Sequence, residues 1–345
     1  MNFERQGARD GGRSHLITGG AGFIGSSVAD ALIAHGDSVT ILDDLSTGNR
    51  DNVAHLEDSG LLTFVEGSVL NEALVDDLVA SADVVLHLAS AVGVQLVMQR
   101  PLDTLLRNIR GNDIVMGAAA RHTRKMLFTS TSEIYGKNCS DSLDEDADSI
   151  LGSPCKSRWS YATAKSFGEA LAHSFHRERG LDFTVARLFN TVGPRQTGRY
   201  GMVLPRFVRQ AMRGEDLTVY GNGTQSRCFT HVNDAVAALL LLLEADSAGR
   251  AFNVGSSTEV AVVELARRVI EKCGNDSKIT LIPYSEAFGE GFEELGRRVP
   301  NTTALRELTG WAPVSTVDDA ISDVIDFEQA NARRDDSARS LSLAS

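Results

Sequence analysis

Thr18-Gly19-Gly20-Ala21-Gly22-Phe23-Ile24-Gly25 lies between a β-branched run, His15-Leu16-Ile17-Thr18, and an amphipathic stretch from Phe23 to His35. It reads as a strand, a tight turn and the opening of a helix. Glycines 19, 22 and 25 stand where a side chain would block the turn, the approach of backbone to a pyrophosphate, or the packing of helix on strand. Phe23 and Ile24 open the helix, whose free N–H groups and positive dipole end suit a phosphate. A glycine triplet also serves plain structural turns, so its meaning depends on the rest of the chain.

The same alternation repeats downstream of the turn. Strands are expected at Ser38 to Leu42, Leu61 to Val65, Asp83 to Leu88, Met126 to Thr129 and Phe183 to Leu188. Helices are expected at Asn71 to Ala80, Leu102 to His122 and Tyr161 to Arg179. Strands alternating with helices at this spacing pair in parallel with helices on both faces. The fold class is therefore α/β, a doubly wound parallel sheet of Rossmann type with a smaller C-terminal substrate-binding lobe. After Asn190, helical stretches (Leu204 to Arg213, Val232 to Glu244, Glu259 to Cys273, Thr316 to Gln329) are joined by Gly- and Pro-containing loops. The expected division is a flexible tail at 1–13, a dinucleotide-binding domain at 14–190, a lobe at 191–330 that returns one element to the sheet, and a second flexible tail at 331–345.

Composition narrows the function classes. The 345 residues are 42% apolar and 23% charged, an ordinary globular balance with ample core. Lys plus Arg total 34 against 46 Asp plus Glu, a net charge of -12, which disfavours a nucleic-acid partner. The longest apolar run, Ala235 to Leu243, is too short to cross a bilayer, and no secretory h-region follows Met1, so no membrane association and a cytoplasmic location are expected. Cys139, Cys155, Cys228 and Cys273 form no CxxC or Cys/His cluster and read as scattered buried thiols, and the histidines have no ligand spacing, so no metal is expected.

Two features support the dinucleotide reading. The second strand ends in Ile41-Leu42-Asp43-Asp44, about 20 residues past the glycines, where a carboxylate binds the adenosine ribose hydroxyls. A carboxylate there repels a 2′-phosphate, so NAD is favoured over NADP. Leu88-Ala89-Ser90 closes the fourth strand with small residues at the switch-point edge. Ser46, Thr47 and Gly48, Ser68 and Val69 after the third strand, and Asn108 on the long helix complete the candidate cofactor set.

Tyr161 and Lys165, four apart on a helix, project from one face. An ammonium beside a phenol, with a nicotinamide charge nearby, lowers the phenol from about 10 and makes Tyr161 a usable base. Such a pair is commonly a surface contact, but here it comes after a strand ending in Ser130-Thr131-Ser132-Glu133-Ile134-Tyr135-Gly136. Thr131 can donate a hydrogen bond to the same substrate oxygen. In the lobe, Asn190 can bond a sugar or diphosphate oxygen. Arg227, with Arg206 assisting and Tyr220 nearby, can clamp a diphosphate.

The chain resembles the extended short-chain dehydrogenase/reductases that act on nucleotide sugars. The likeness rests on Thr18 to Gly25, His87-Leu88-Ala89, Tyr161-Ala162-Thr163-Ala164-Lys165 and Arg187-Leu188-Phe189-Asn190-Thr191-Val192-Gly193-Pro194-Arg195, and spans roughly residues 14 to 328. It implies bound NAD, a UDP-sugar or similar substrate, transient oxidation at the sugar C4, and a homodimer. Within the family, UDP-glucuronate decarboxylases read Ser-Thr-Ser-Glu-Val-Tyr-Gly at residues 130–136, which this chain matches except for Ile134. 4,6-Dehydratases carry Asp at the Ser132 position, and 4-epimerases usually lack the acid at Glu133. Lys156-Ser157-Arg158-Trp159-Ser160 and the pieces Phe288-Gly289-Glu290-Gly291-Phe292 and Arg298-Val299-Pro300 resemble decarboxylases that act on UDP-glucuronate. Apiose-forming synthases carry Cys where Ser132 stands, which argues against ring contraction. Arg158 and Arg298 are candidate substrate contacts, with Ser132, Glu133 and Arg298 beside the reacting carbon. The expectation is a UDP-glucuronate decarboxylase working through a 4-keto sugar that is either reduced or released. A 4-epimerase of UDP-glucose or UDP-glucuronate is the alternative, with a 4,6-dehydratase or a non-catalytic NAD-binding protein behind it.

Overall fold

In the computed structural model, which describes residues 12–198, 202–289, 293 and 297–343, successive side chains of the central strands point to opposite faces of one parallel sheet. Its first half is built from β1 (Ser14–Thr18), α1 (Phe23–Ala34), β2 (Ser38–Asp43), β3 (Leu62–Glu66), α2 (Glu72–Ser81), β4 (Val84–His87), α3 (Val94–Gln99), α4 (Pro101–Arg121), β5 (Lys125–Thr131), α5 (Ser160–Arg179) and β6 (Phe183–Leu188). The second half comprises β7 (Thr191–Val192), α6 (Val203–Met212), β8 (Leu217–Tyr220), β9 (Ser226–Cys228), β10 (Thr230–His231) and α7 (Val232–Glu244). It continues with β11 (Arg250–Val254), β12 (Glu259–Ala261), α8 (Val262–Cys273), β13 (Ile279–Ile282), α9 (Tyr284–Phe288), α10 (Thr303–Thr309) and α11 (Val317–Leu343).

The seven-stranded sheet runs β11-β6-β5-β4-β1-β2-β3, all pairs parallel. Ile17, Ile41, Leu86 and Leu127 face a core shared with Val28 and Leu32 of α1 and Leu239 and Leu242 of α7. Their neighbours Leu16, Leu42, Val85 and Phe128 face the other core, with Val79 of α2, Val115 and Met116 of α4 and Phe175 of α5. The order reverses between β1 and β4, which opens a crevice at their carboxyl ends. The C-terminal lobe has its own core, where Phe207 of α6, Leu265 of α8 and Ile321 of α11 meet.

Several elements depart from the sequence expectation. The stretch Glu259 to Cys273, expected to be one helix, divides, because Glu259, Val260 and Ala261 pair antiparallel with β9 before α8 begins. Short two-stranded sheets β10-β7 and β13-β8 stand where only helices and loops were expected. Residues 331–343, expected to be a flexible tail, continue α11, as nothing in Asn331 to Leu343 is a Gly or Pro to stop it. Of the four cysteines, expected to be buried, Cys228 alone is; Cys273 is half-buried, and Cys139 and Cys155 lie exposed in polar loops. Residues 1–11 of the expected tail, and Glu290, Gly291 and Phe292 of the resemblance, lie outside the described residues.

Gly168 of α5 shows how tightly the sheet holds this helix. A Cβ there would stand 2.5 Å from Asn112 Nδ2 of α4 and 2.8 Å from Phe128 Cζ of β5. Gly168→Ala is expected to cost about 1–3 kcal/mol through overpacking, read as a lower urea midpoint at an unchanged slope.

Candidate active site

The crevice at the sheet reversal is a cavity of about 370 Å³. Its floor is the turn between β1 and α1, where added Cβ atoms show why glycines are needed. At Gly19 (φ +75°) a Cβ would lie 2.7 Å from Ala89 N, and at Gly25 it would lie 2.3 Å from Gly19 O. The first turn of α1 carries no acidic residue, and Gly22 at its N-cap makes no side-chain cap. Its N–H groups therefore face the cavity with no side chain competing for them. These features fit a dinucleotide pyrophosphate.

Of the residues expected to bind the dinucleotide, Gly19, Gly22, Phe23, Ile24, Gly25, Asp43, Asp44, Ser46, Thr47, Ser68, Val69, Leu88, Ala89, Ser90, Asn108, Tyr161 and Lys165 all line the cavity. Gly48 does not; it stands behind Asp43, and a Cβ there would press on the carboxylate at 2.9 Å. Thr131, Ser132, Glu133, Asn190 and Arg298 line the same space. Arg158, Arg206, Tyr220 and Arg227, expected at the substrate, are not among its lining residues. Asn190, two residues past the end of β6, adopts φ +37°, a left-handed conformation that Asn tolerates better than most residues, and its Nδ2 donates to Cys228 O at 3.0 Å.

Lys165 is buried, with Nζ donating to Thr129 O at 2.8 Å and standing 4.7 Å from the Phe128 ring centroid. Burial lowers its pKa to about 7, against the opposing pull of Glu169. Tyr161 shares the cavity with Lys165. Burial raises its phenol above the ordinary value, the Glu133 charge adds to that, and a hydrogen bond with Ser90 opposes it. Desolvation is the largest of these influences on the phenol.

Glu133 sits in a 3-10 turn (Ser132–Tyr135) capped by Thr131, whose Oγ1 accepts from Glu133 N at 3.2 Å. Arg158 Nη1 meets Glu133 Oε2 at 2.7 Å, with side-chain exposures of only 6% and 20%. Burial pushes the Glu133 pKa up, but Arg158, Arg298 and Arg227 outweigh it and hold the carboxyl below its usual range. Arg298 Nη1 donates to Ser132 Oγ at 3.0 Å. Glu133 and Arg298 thus line the cavity together with Tyr161, and Arg158 pairs with Glu133 from outside that lining.

Behind this end lies a support that the sequence reading missed. Arg187 of β6 binds Glu169 of α5 through Nε (3.1 Å) and Nη2 (2.7 Å), and its Nη1 donates to Tyr135 Oη at 2.9 Å. Tyr135 Oη donates in turn to Asn253 Oδ1 of β11 at 2.7 Å. The network ties the helix bearing Lys165 to the turn bearing Glu133. Its signal in the sequence was Glu169, one helical turn past Lys165. Arg107, Gln196 and Thr197 also line the cavity without having been singled out. In the lobe, Arg206 lies 4.0 Å from the Tyr220 ring centroid and donates to Thr218 O at 3.0 Å, while Arg227 Nη1 donates to Ser226 O at 2.7 Å.

A model of the NAD dependent epimerase/dehydratase family matches residues 15–255. The chain belongs to that family. Among curated relatives, it is 37% identical to the UDP-N-acetyl-alpha-D-glucosaminuronate decarboxylase of Bacillus cytotoxicus, covering 90% of this chain and 96% of that one. It is 35% identical to UDP-glucuronic acid decarboxylase 4 of Arabidopsis thaliana, over 86% of this chain and 64% of that one. Among solved structures it is similar to the UDP-glucose 4-epimerase of Thermotoga maritima with UDP-glucose (TM-score 0.82, 28% identity, 92% and 99% covered). It is also similar to the dTDP-glucose 4,6-dehydratase of Streptomyces venezuelae with NAD bound (TM-score 0.84, 26% identity, 92% and 97% covered).

Two stability measurements probe the buried charges. Arg158→Gln strands Glu133 and is expected to cost about 3 kcal/mol near neutral pH. Because the Glu133 pKa is lowered, its contribution is present above the unfolded value and lost as pH falls through the folded one. The deficit of the variant, followed by urea titration, therefore narrows in acid. Lys165 is the opposite case: its charged form is disfavoured by folding, a cost that grows as pH falls from 10.5 to about 7. Lys165→Met is expected to raise the urea midpoint at pH 7 and to lose that advantage above pH 10.5.

Proposed function

We propose that the chain is an NAD-dependent decarboxylase of UDP-glucuronate or a closely related UDP-uronate. What supports this is the pairing of Glu133 with Arg158 at 2.7 Å and of Arg298 with Ser132 at 3.0 Å, where Glu133, Ser132 and Arg298 line the same cavity as Tyr161 and Lys165. A 4-epimerase needs a base and a hydride carrier but no such charged cluster, and the curated relatives named above are decarboxylases of UDP-uronates.

Bound NAD supplies a hydride acceptor for the sugar C4 and later a hydride donor. Tyr161 takes the proton of the C4 hydroxyl, with Thr131 bonding the same oxygen. Lys165 and the nicotinamide charge lower the Tyr161 pKa when the site is filled, against the burial that raises it in this structure. The product of that step is a β-keto acid, whose carboxylate leaves as CO2 when the electron pair moves onto the new carbonyl. Arg298 orients the carboxylate, and Ser132 and Glu133 serve the proton that the resulting enolate must regain. Arg227, with Arg206, Tyr220 and Asn190, is assigned to the nucleotide diphosphate end.

A 4-epimerase is the second reading, favoured by likeness to the Thermotoga enzyme. A homodimer is the assembly we infer, supported by the exposed Leu102 and Leu106 of α4 and Phe167 of the adjacent α5. Among the described residues no helix is long and apolar enough to cross a membrane. We place the chain in the cytoplasm, where its four free cysteines suit a reducing compartment.

Incubation with UDP-glucuronate, and in parallel with UDP-N-acetylglucosaminuronate, followed by mass spectrometry, tests the assignment. Loss of CO2 from either sugar nucleotide is expected, with turnover falling about 10²–10⁴-fold in Tyr161→Phe. A new isomer of unchanged mass would establish the epimerase instead.

A further inference from the structure

Glu293 is not among the residues that line the cavity, yet its carboxylate gathers donors from both turns that flank the reacting end. Lys137 Nζ meets Oε2 at 2.8 Å, Lys156 Nζ meets Oε1 at 2.6 Å, and Trp159 Nε1 donates to Oε2 at 2.9 Å. Lys137 follows Gly136, which closes the turn carrying Ser132 and Glu133. Lys156 caps the turn Ser157–Trp159, which carries Arg158. One carboxylate thus ties together the two turns whose side chains meet as Glu133 and Arg158.

Trp159 carries the contact inward. Its side chain is fully buried, and the Lys137 ammonium and the Arg158 guanidinium stand over its ring at 5.5 and 5.9 Å from the centroid. A Cβ at Gly152 would overlap the indole and stand 2.7 Å from Glu293 Oε2, so this glycine leaves the space in which carboxylate and indole meet. The side chains of Lys137 and Lys156 are 45% and 39% exposed. Ion pairs this open add little to folding stability. What the cluster supplies is position: the indole cannot shift without giving up a bond to a charged acceptor, and Arg158 lies against that indole while it holds Glu133.

We propose that Glu293 is a positioning residue for the loss of carbon dioxide: through Trp159 it fixes Arg158, and with it the Glu133 carboxylate that lines the cavity beside Ser132 and Arg298. The inference rests on the decarboxylase reading. In that step the bond from C5 to the carboxylate breaks, its electron pair moves toward the C4 carbonyl, and the enolate takes up a proton at C5. Hydride transfer from C4 is assigned to Tyr161, Lys165 and Thr131, whose helix the sheet holds separately. Lys165 Nζ donates to Thr129 O of β5, and Arg187 of β6 grips Glu169. Loosening the Glu293 cluster therefore weakens the second step and spares the first.

Single-turnover mixing of NAD-loaded protein with UDP-glucuronate or UDP-N-acetylglucosaminuronate separates the two steps, with reduced nicotinamide followed by absorbance and CO2 collected in parallel. Glu293→Ala is expected to form reduced nicotinamide within about twofold of the wild-type rate and to release CO2 about tenfold more slowly, the scale of one hydrogen bond to a charged group. A second readout is independent of turnover. In protein with isotope-labelled tryptophan, the Trp159 indole N–H resonance is expected to move in Glu293→Ala, while that of Trp311, bonded to Asp234 O, stays in place. Unchanged CO2 release, an equal fall in both steps, or an unmoved Trp159 resonance overturns the role of Glu293 alone. Absence of CO2 release by wild type from either sugar nucleotide overturns the decarboxylase reading and this role with it. If Glu293→Ala does not fold, the double variant Lys137→Met/Lys156→Met, at exposed positions, carries the same kinetic expectation and the same refutation.

Discussion

Desolvation of charged and ionisable groups at the carboxyl ends of β4 and β5 is the constraint around which this chain is arranged. Lys165, Glu133, Arg158 and Arg298 are each withdrawn from water within a single region, and each is met by a specific partner: a carbonyl, a guanidinium, a carboxylate, a hydroxyl. Low dielectric makes such contacts strong and makes an unmet group expensive. Tyr161 feels the same constraint, since burial raises its phenol above the ordinary value.

The arrangement also separates roles along the strand order. The β1–α1 turn and the tips of β2 and β3 supply backbone N–H groups and carboxylates, which suit a nucleotide. The tip of β5, with α5 and the segment around Arg298, supplies acid, base and guanidinium groups, which suit a reacting sugar. The family match, residues 15–255, takes in both groups except Arg298.

Legibility in the sequence tracks the physics of each position. Gly19 and Gly25 were legible because backbone approach forbids a side chain there, whatever the surroundings. Tyr161 and Lys165 were legible because helical spacing is local. Arg107 was not, since an Arg four residues after an Asp on a helix looks the same on a solvated face as at a cavity mouth. Glu169 and Arg187 are 18 residues apart and meet only because α5 packs on β6. The two- and three-residue strands of the lobe are too short for any periodicity to register, and Glu259 to Ala261 merges into the helix after it. The pKa of Tyr161 depends on how much water the fold removes, a quantity that no local pattern contains.

The place of β11 at the edge of the sheet has a consequence for how the chain is made. Its partner β6 ends at Leu188, yet β11 begins only at Arg250, after α6 and α7 have been synthesised. A nascent chain emerging from the ribosome must therefore hold an open parallel edge, with the apolar faces of Val185 and Ala186 beside it, while about sixty further residues appear. The half that carries the nucleotide cradle completes its sheet only with a strand from the half that carries the substrate lobe. The gene cannot be cut between them without leaving that edge for another molecule to fill.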